Sequence, residues 1–261
     1  MVTRTSRRKS VRTRNVIVAT LLAVLMGPGV SPAAAQTNPD VIETGRLLAI
    51  LLDSGRVTIA GVQSLVNDPE KGDKGYTPAV FEQQVIKKFK ERSGIDLTNL
   101  KNEKIPPQAK QLLPMLVEAG KKVVATYQPI INKQGLGYKN FIPATWGTHA
   151  AAIFTARTGS YLKQTTSDDV LRNPKNKADE FEAVILQKFA DPAYPRQGEK
   201  IISAMEDGGK TARVMLPLYH GPKCLVCHGE PKDVRDISGY LREGKKEGDL
   251  AGAISVKLPV K

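Results

Sequence analysis

The sequence predicts an α+β protein in which a duplicated helical pair precedes a part that contains strands. Two observations predict this class. The chain repeats itself at an offset of 65 residues with helical spacing of apolar residues, and short β-branched or alternating segments follow the repeat. The composition, 41% hydrophobic and 25% charged over 261 residues, is globular and excludes disordered, collagen-like and coiled-coil proteins. The length allows one large domain or two modest ones.

The first 35 residues have the order of a secretory signal peptide. A basic run is followed by an apolar stretch over residues 16–26 and then by small residues that end at Ala35. This order predicts a signal peptide over residues 1–35 that is cleaved after Ala35, and hence a periplasmic protein with no stable membrane span. An uncleaved anchor is the alternative, but the apolar stretch falls short of the roughly 20 residues that cross a bilayer.

The formal charge of +13 is concentrated at the N terminus. Six of the basic residues lie within the first fifteen positions, and without them 33 basic residues remain against 26 acidic ones. Such a diffuse excess does not indicate a nucleic-acid partner.

Residues 47–97 align with residues 112–162 without a gap. Identical residues are spread along the window and include the pairs Gly55 and Gly120, Gln63 and Gln128, and Asn67 and Asn132. Duplication therefore explains the match, and it predicts an N-terminal helical repeat unit over residues 40–111 and a second copy that begins at residue 112. The recurring Gln and Asn are interpreted as residues that cap a helix or hold a turn, with ligand contact as the alternative.

Each copy is predicted to be a helical pair. Its first helix follows from apolar residues at helical spacing between Leu47 and Val66, and its second begins near Thr77 or Ile142, with Pro78 or Pro143 in the first turn. After residue 162 only the second copy continues. We predict a loop over residues 172–176, a helix over 179–189, and strands over 211–219 and 251–260.

The two cysteines of the chain lie in the segment Cys224-Leu225-Val226-Cys227-His228. This spacing is typical of c-type haem attachment, in which each thiol adds to one vinyl group and the adjacent imidazole is the proximal iron ligand. Three other readings are a redox dithiol, a zinc site that also uses His220, and a structural disulfide. Each fits less well, because the segment lacks a βαβ setting and a second Cys-x-x-Cys, and a bridge across two residues closes almost no loop.

The second iron ligand is open at this point. His149 is the leading hypothesis, because three alanines follow it and would let a flat macrocycle approach closely. His220, the mature methionines (Met115, Met205 and Met215) and an open position that binds a small gas molecule are the alternatives.

Several motifs together resemble the family of periplasmic c-type haem domains with a PAS-like fold. They are Arg172-Asn173-Pro174-x-Asn176, Phe181-Glu182, Cys224-Leu225-x-Cys227-His228-Gly229 and the closing Gly248–Val256 segment. The resemblance covers roughly residues 112–261. It implies a PAS-like antiparallel sheet with flanking helices, one covalent haem c, and a role in redox or gas sensing.

The resemblance also fails in one place. A cysteine on the long first helix can be the second iron ligand in the family, whereas this chain has Val123-Val124-Ala125-Thr126-Tyr127-Gln128 there. Two further contacts are predicted from residue chemistry. Arg172 is a candidate partner of a haem propionate, with a turn-forming role for its loop as the alternative, and Tyr219 is expected to pack on the edge of the macrocycle.

The sequence thus predicts a periplasmic monohaem protein that senses redox state or a small diatomic ligand, through contact with a signalling or redox partner. A soluble electron carrier for a respiratory or oxidative enzyme is the second hypothesis. Enzymatic activity ranks last, because the sequence offers no distal histidine and arginine pair.

Overall fold

The computed structural model describes Met1 and residues 38–260 of the chain. The predicted signal peptide, apart from Met1, lies outside the described residues. The α+β class is confirmed: helices surround one antiparallel sheet with the strand order β1-β4-β3-β2. The described helices are α1 (Pro39–Gly61), α2 (Gln63–Val66), α3 (Pro78–Ser93), α4 (Pro107–Ile131), α5 (Pro143–Thr158), α6 (Glu180–Ala190) and α7 (Leu225–His228). The strands are β1 (Tyr161–Thr165), β2 (Ile202–Glu206), β3 (Thr211–Tyr219) and β4 (Leu250–Pro259).

The ends of the repeated helices follow from local sequence. Both α3 and α5 have 16 residues and begin with proline, which needs no hydrogen-bond partner for an amide in the first turn. Both end before a glycine in the left-handed region, Gly94 with φ 76° and Gly159 with φ 69°. The predicted helix starts near residues 77 and 142 are therefore confirmed. The first helices of the two copies differ, because the helix of the first copy is interrupted at Val62, between α1 and α2, whereas α4 of the second copy is continuous.

The two copies hold each other through reciprocal hydrogen bonds. Asn67 accepts from the backbone N–H of Lys139, and Asn132 accepts from that of Lys74, both at 3.1 Å. Gln63 and Gln128 form a second reciprocal pair, because they donate to the carbonyls of Phe141 and Tyr76 at 2.8 and 3.1 Å. The recurring Gln and Asn thus hold turns, as predicted, but the turns belong to the opposite copy.

Two aromatic rings meet where the copies cross. Phe81 and the equivalent Trp146 have ring centroids 5.2 Å apart, and the indole N–H of Trp146 donates to the carbonyl of Gly120 at 3.3 Å. A side chain at Gly55 would overlap the Trp146 ring, and a Cβ at Gly120 would lie 2.7 Å from it. The glycine pair therefore makes the close helix approach possible.

Helices cover the sheet on both faces. On one face α1 packs against β3 and β4, and it comes so close that a Cβ at Gly45 would lie 2.7 Å from Val214. On the other face Ile185, Leu186 and Phe189 of α6 form a smaller core with Met215 and Ala253. The main core contains residues of both repeats and of the sheet, so the predicted boundary between residues 111 and 112 runs through a shared core. No described helix is long and apolar enough to cross a membrane.

Candidate functional site

The Cys-x-x-Cys-His segment lies where β3 leaves the sheet. His220, the first residue after β3, donates its backbone N–H to Asp249 at 2.9 Å and accepts from Gly248 at 2.8 Å, so the chain is still paired beside the start of β4. A 3-10 turn over Pro222–Cys224 leads into α7, and Gly229 ends this helix by donating to the carbonyl of Leu225 at 2.9 Å. The motif is thereby held on one helical turn at the end of the sheet.

Cys224 and Cys227 are both free and partly buried. Three positions apart on a helical turn, they lie near the same side, as two attachments to one planar group require. Burial, with Asp236 nearby, raises the pKa of the Cys227 thiol, so this sulfur is protonated at neutral pH. No arrangement of three or more His, Cys, Asp or Glu side chains typical of a metal site occurs among the described residues.

The imidazole of His228 is fixed by a carboxylate from a later loop. Its Nδ1 lies 2.8 Å from Oε2 of Glu243. Burial raises the pKa of Glu243, but Arg172 and His228 outweigh burial and lower it, while burial and Arg172 lower the pKa of His228. The bidentate contact of Glu243 with the guanidinium of Arg172 identifies Glu243 as the ionised acceptor of this pair. Because a carboxylate only accepts, Nδ1 carries the proton and Nε2 keeps a free lone pair.

Arg172 joins the loops around this imidazole. Its Nε and Nη2 donate to the two oxygens of Glu243 at 2.7 and 3.0 Å, and Nη1 donates to Asp236 at 2.6 Å. Nη2 also donates to the carbonyl of Cys227 at 2.9 Å. Arg172 thus binds protein groups around the motif, and its contact with a propionate stays a prediction. Its neighbour Asn173 forms the expected turn by accepting from Lys175 at 3.1 Å.

His220 lies against His228, with ring centroids 4.9 Å apart. Its side chain is buried, and its Nδ1 contacts no hydrogen-bond partner in the described part of the chain. Burial and the neighbouring His228 lower the pKa of His220 to about 4. The structure therefore places a neutral imidazole with an unpaired polar atom beside the motif.

A partly open cavity of about 270 Å³ lies on the Cys224 side of the motif. Its apolar wall includes Val57, Leu216, Leu218 and Ala251, and its charged rim comprises Asp53, Arg56, Arg92, Arg196, Glu199 and Lys200. Tyr219 lies in the same wall as Cys224, and the guanidinium of Arg196 stacks over its ring at 4.2 Å. The structure thus brings together two of the residues that the sequence singled out, Tyr219 and Cys224.

His149 lines a second groove, and no residue of the Cys-x-x-Cys-His turn lines that groove. It is exposed on α5 in a groove beside α4, where its Nε2 is 3.4 Å from the hydroxyl of Tyr127. No hydrogen bond or ring contact within the described residues joins it to His228, and its assignment as the second iron ligand stays a prediction. The methionines named above are core residues: Met215 packs under α6, and Met115 and Met205 pack against the main core.

Sequence reasoning missed Glu243, Asp236 and the cationic rim of the cavity. Glu243 lies in a basic loop fifteen residues after His228, with no periodicity that marks it. The rim residues come from α1, α3 and the segment before β2, and no local pattern connects them. Only the folded chain shows that they share a site.

Fold and site together define an α+β protein whose sheet carries a Cys-x-x-Cys-His turn beside a cavity. A family model described as Tll0287-like matches residues 108–259, and the chain belongs to this family. The match coincides with the part of the chain, residues 112–261, that carries the motifs. The crystal structure of the cyanobacterial heme-protein Tll0287 is similar at 16% identity, with a TM-score of 0.37, over 58% of this chain and 90% of that one. No curated protein matches the chain.

Proposed function

We propose that the chain is an exported monohaem c-type protein that senses redox state or a small diatomic ligand. Cys224 and Cys227 would each add their S–H across one vinyl group, so that sulfur bonds one carbon and hydrogen the other. His228 would bind the iron through Nε2. The observation that carries the proposal is the His228 contact with Glu243, because it leaves Nε2 free on the same helical turn as the two thiols.

The surroundings of the turn fit an amphipathic, dianionic group. The cavity has an apolar wall next to Cys224, and Tyr219 offers a flat ring there. Within the described chain, Asp53 and Glu199 are paired with Arg56 and Arg92, whereas the ion pairs include no carboxylate for Arg196 or Lys200. Arg196 and Lys200 are therefore our first candidates for propionate partners, ahead of Arg172, which already binds Glu243 and Asp236. Membership of the Tll0287-like family, whose namesake is described as a heme-protein, supports haem as the bound group.

The bound group would supply one-electron chemistry and a site for a gas molecule. This chain would contribute His228 as one iron ligand and an aliphatic wall along the cavity. We keep electron transfer as the second candidate, because Val226 is 63% exposed between the cysteines and places the attachment turn at the protein surface.

Expression of the full chain in a bacterium that matures c-type cytochromes tests the attachment. We expect haem that stays on the polypeptide after denaturation, and its loss in the Cys224→Ala/Cys227→Ala double variant. His149→Ala is the matched control, and we expect it to retain covalent haem. Wild-type protein without covalent haem would overturn the proposal.

Absorption spectra of the same holoprotein, with and without carbon monoxide or nitric oxide, separate the two functions. A spectral change on adding either gas supports sensing. A six-coordinate low-spin spectrum that neither gas changes, together with rapid electron exchange, supports the electron carrier.

A further inference from the structure

The contact between His228 and Glu243 fixes more than the orientation of a ring. The proton lies on Nδ1 and points at a carboxylate oxygen 2.8 Å away. A carboxylate in this position draws the proton toward itself and increases the electron density on the opposite nitrogen, Nε2. The imidazole that faces the proposed iron is thus a stronger electron donor than one whose Nδ1–H points at a neutral carbonyl.

Glu243 is itself held in place. Both of its oxygens contact the guanidinium of Arg172, in a bidentate arrangement that allows little rotation of the carboxylate. Arg172 is anchored from the other side by Asp236, whose side chain is fully buried, and it stacks on the ring of Tyr240 at 5.2 Å. The network therefore connects residue 172 with the loop that follows the motif.

The charges in this network favour electron donation. Arg172 carries one positive charge and faces the carboxylates of Glu243 and Asp236, so these three residues together carry one net negative charge, and Glu243 is the member in contact with the imidazole. The site is partly buried, with Glu243 14% and Arg172 19% exposed, and solvent therefore screens this charge less than at the surface. A negative charge near the iron stabilises the ferric state relative to the ferrous state.

We infer that Glu243 is a positioning residue that tunes the haem iron through His228, lowering its reduction potential, and that Arg172 fixes Glu243 for this role. The inference rests on the proposed function. It differs from a structural role of the network, because a residue that only stabilises the loop would not change the iron's electron affinity.

The test is a redox titration of the holoprotein with Glu243→Gln, which keeps the shape of the side chain and removes its charge. We expect the potential to rise, with a shift of about tenfold in the ferric-to-ferrous ratio at a given solution potential, or about 59 mV for a one-electron couple. The iron–histidine stretching frequency of the ferrous protein is expected to fall. Arg172→Lys keeps the carboxylate but loses the fork, so it should shift both readouts less and in the same direction.

Glu247→Gln is the matched control. Glu247 is exposed on the same loop, four residues further along, and its loss removes the same charge without touching His228. Equal potentials in Glu243→Gln and Glu247→Gln would overturn the inference while the proposed function stands. Wild-type protein without covalent haem would overturn both. Should Glu243→Gln not fold, an unchanged potential in Arg172→Lys would overturn the inference.

Discussion

The two copies of the repeat have the same helical pair but different neighbours. In the first copy 14 of the 23 residues of α1 are buried, whereas in the second copy ten of the 25 residues of α4 are. The reason is that α1 packs on the sheet as well as on α4 and α5, while one side of α4 lines an open groove. The two copies thus begin with equivalent helices, but only α1 also packs on the sheet that follows the second copy, and it is therefore the more buried of the two.

The first copy contributes to the proposed site although it has no Cys-x-x-Cys-His segment of its own. Its contribution is structural, since α1 covers one face of the sheet, and local, since Asp53, Arg56 and Val57 of α1 line the cavity beside Cys224. The proposed site is therefore assembled from both copies, although the motif belongs to the second alone.

The largest expected effect comes from the aromatic pair at the crossing. Trp146→Ala should lower the free energy of unfolding by about 3–5 kcal/mol, and the equivalent Phe81→Ala should lie at the lower end of this range. The two values differ because the Trp146 ring lies against both Gly55 and Gly120, and because Trp146→Ala also removes the hydrogen bond from the indole N–H to Gly120. Urea unfolding of both variants measures it, and a costlier Phe81→Ala would contradict the assignment of Trp146 as the central residue.

Alanine substitutions at Gly55 and Gly120 should have the next largest effect on stability. Gly55→Ala should lower the free energy of unfolding by about 1–3 kcal/mol through overpacking, because a Cβ there overlaps the Trp146 ring. Gly120→Ala should lower it less, because a Cβ at Gly120 lies 2.7 Å from that ring. Thermal or urea unfolding gives both values. Adding Trp146→Phe should recover part of the stability that Gly55→Ala loses. If the effects of the two substitutions on the free energy of unfolding were simply additive, the Trp146 ring would not be the group that the new methyl contacts.

Alanine substitutions at the two reciprocal asparagines should lower the free energy of unfolding by equal amounts. Asn67→Ala and Asn132→Ala each remove one hydrogen bond of 3.1 Å to a backbone N–H of the opposite copy, so each should lose about 1 kcal/mol. Urea unfolding compares them directly. Values that differ by more than the experimental error would mean that the two copies share geometry but not energetics at this contact.

The smallest expected effect is on stability at acid pH, and it concerns Asp179, in the part of the chain that follows the second copy. Partial burial acts to raise the pKa of Asp179, but the N–H of Glu182 and the guanidinium of Arg213 outweigh it and lower that pKa. A lowered pKa contributes stability above the unfolded value of about 3.9, and this contribution is lost as pH falls through the folded value. Asp179→Asn should therefore narrow the difference in unfolding free energy between pH 6 and pH 3. An unchanged pH dependence in that variant would contradict the prediction.

Local signals in the sequence were sufficient for much of the fold. The second helices start at their prolines and end at their glycines, and the strand predicted over residues 211–219 coincides with β3. The predicted helix over 179–189 is one residue from α6. β1 and β2 were not predicted, because each has five residues and too short a pattern to recognise.

The sequence by itself determined the duplication, the helix ends and the Cys-x-x-Cys-His turn, because these depend on residues a few positions apart and on the φ angles that proline and glycine allow. Only the tertiary structure decided that α1 covers the sheet, that Glu243 faces His228, that Arg172 binds carboxylates and that His149 lines a groove beside α4. Those contacts join residues 15 to 71 positions apart, or different elements altogether, and arise from how helices and sheet bury their apolar faces.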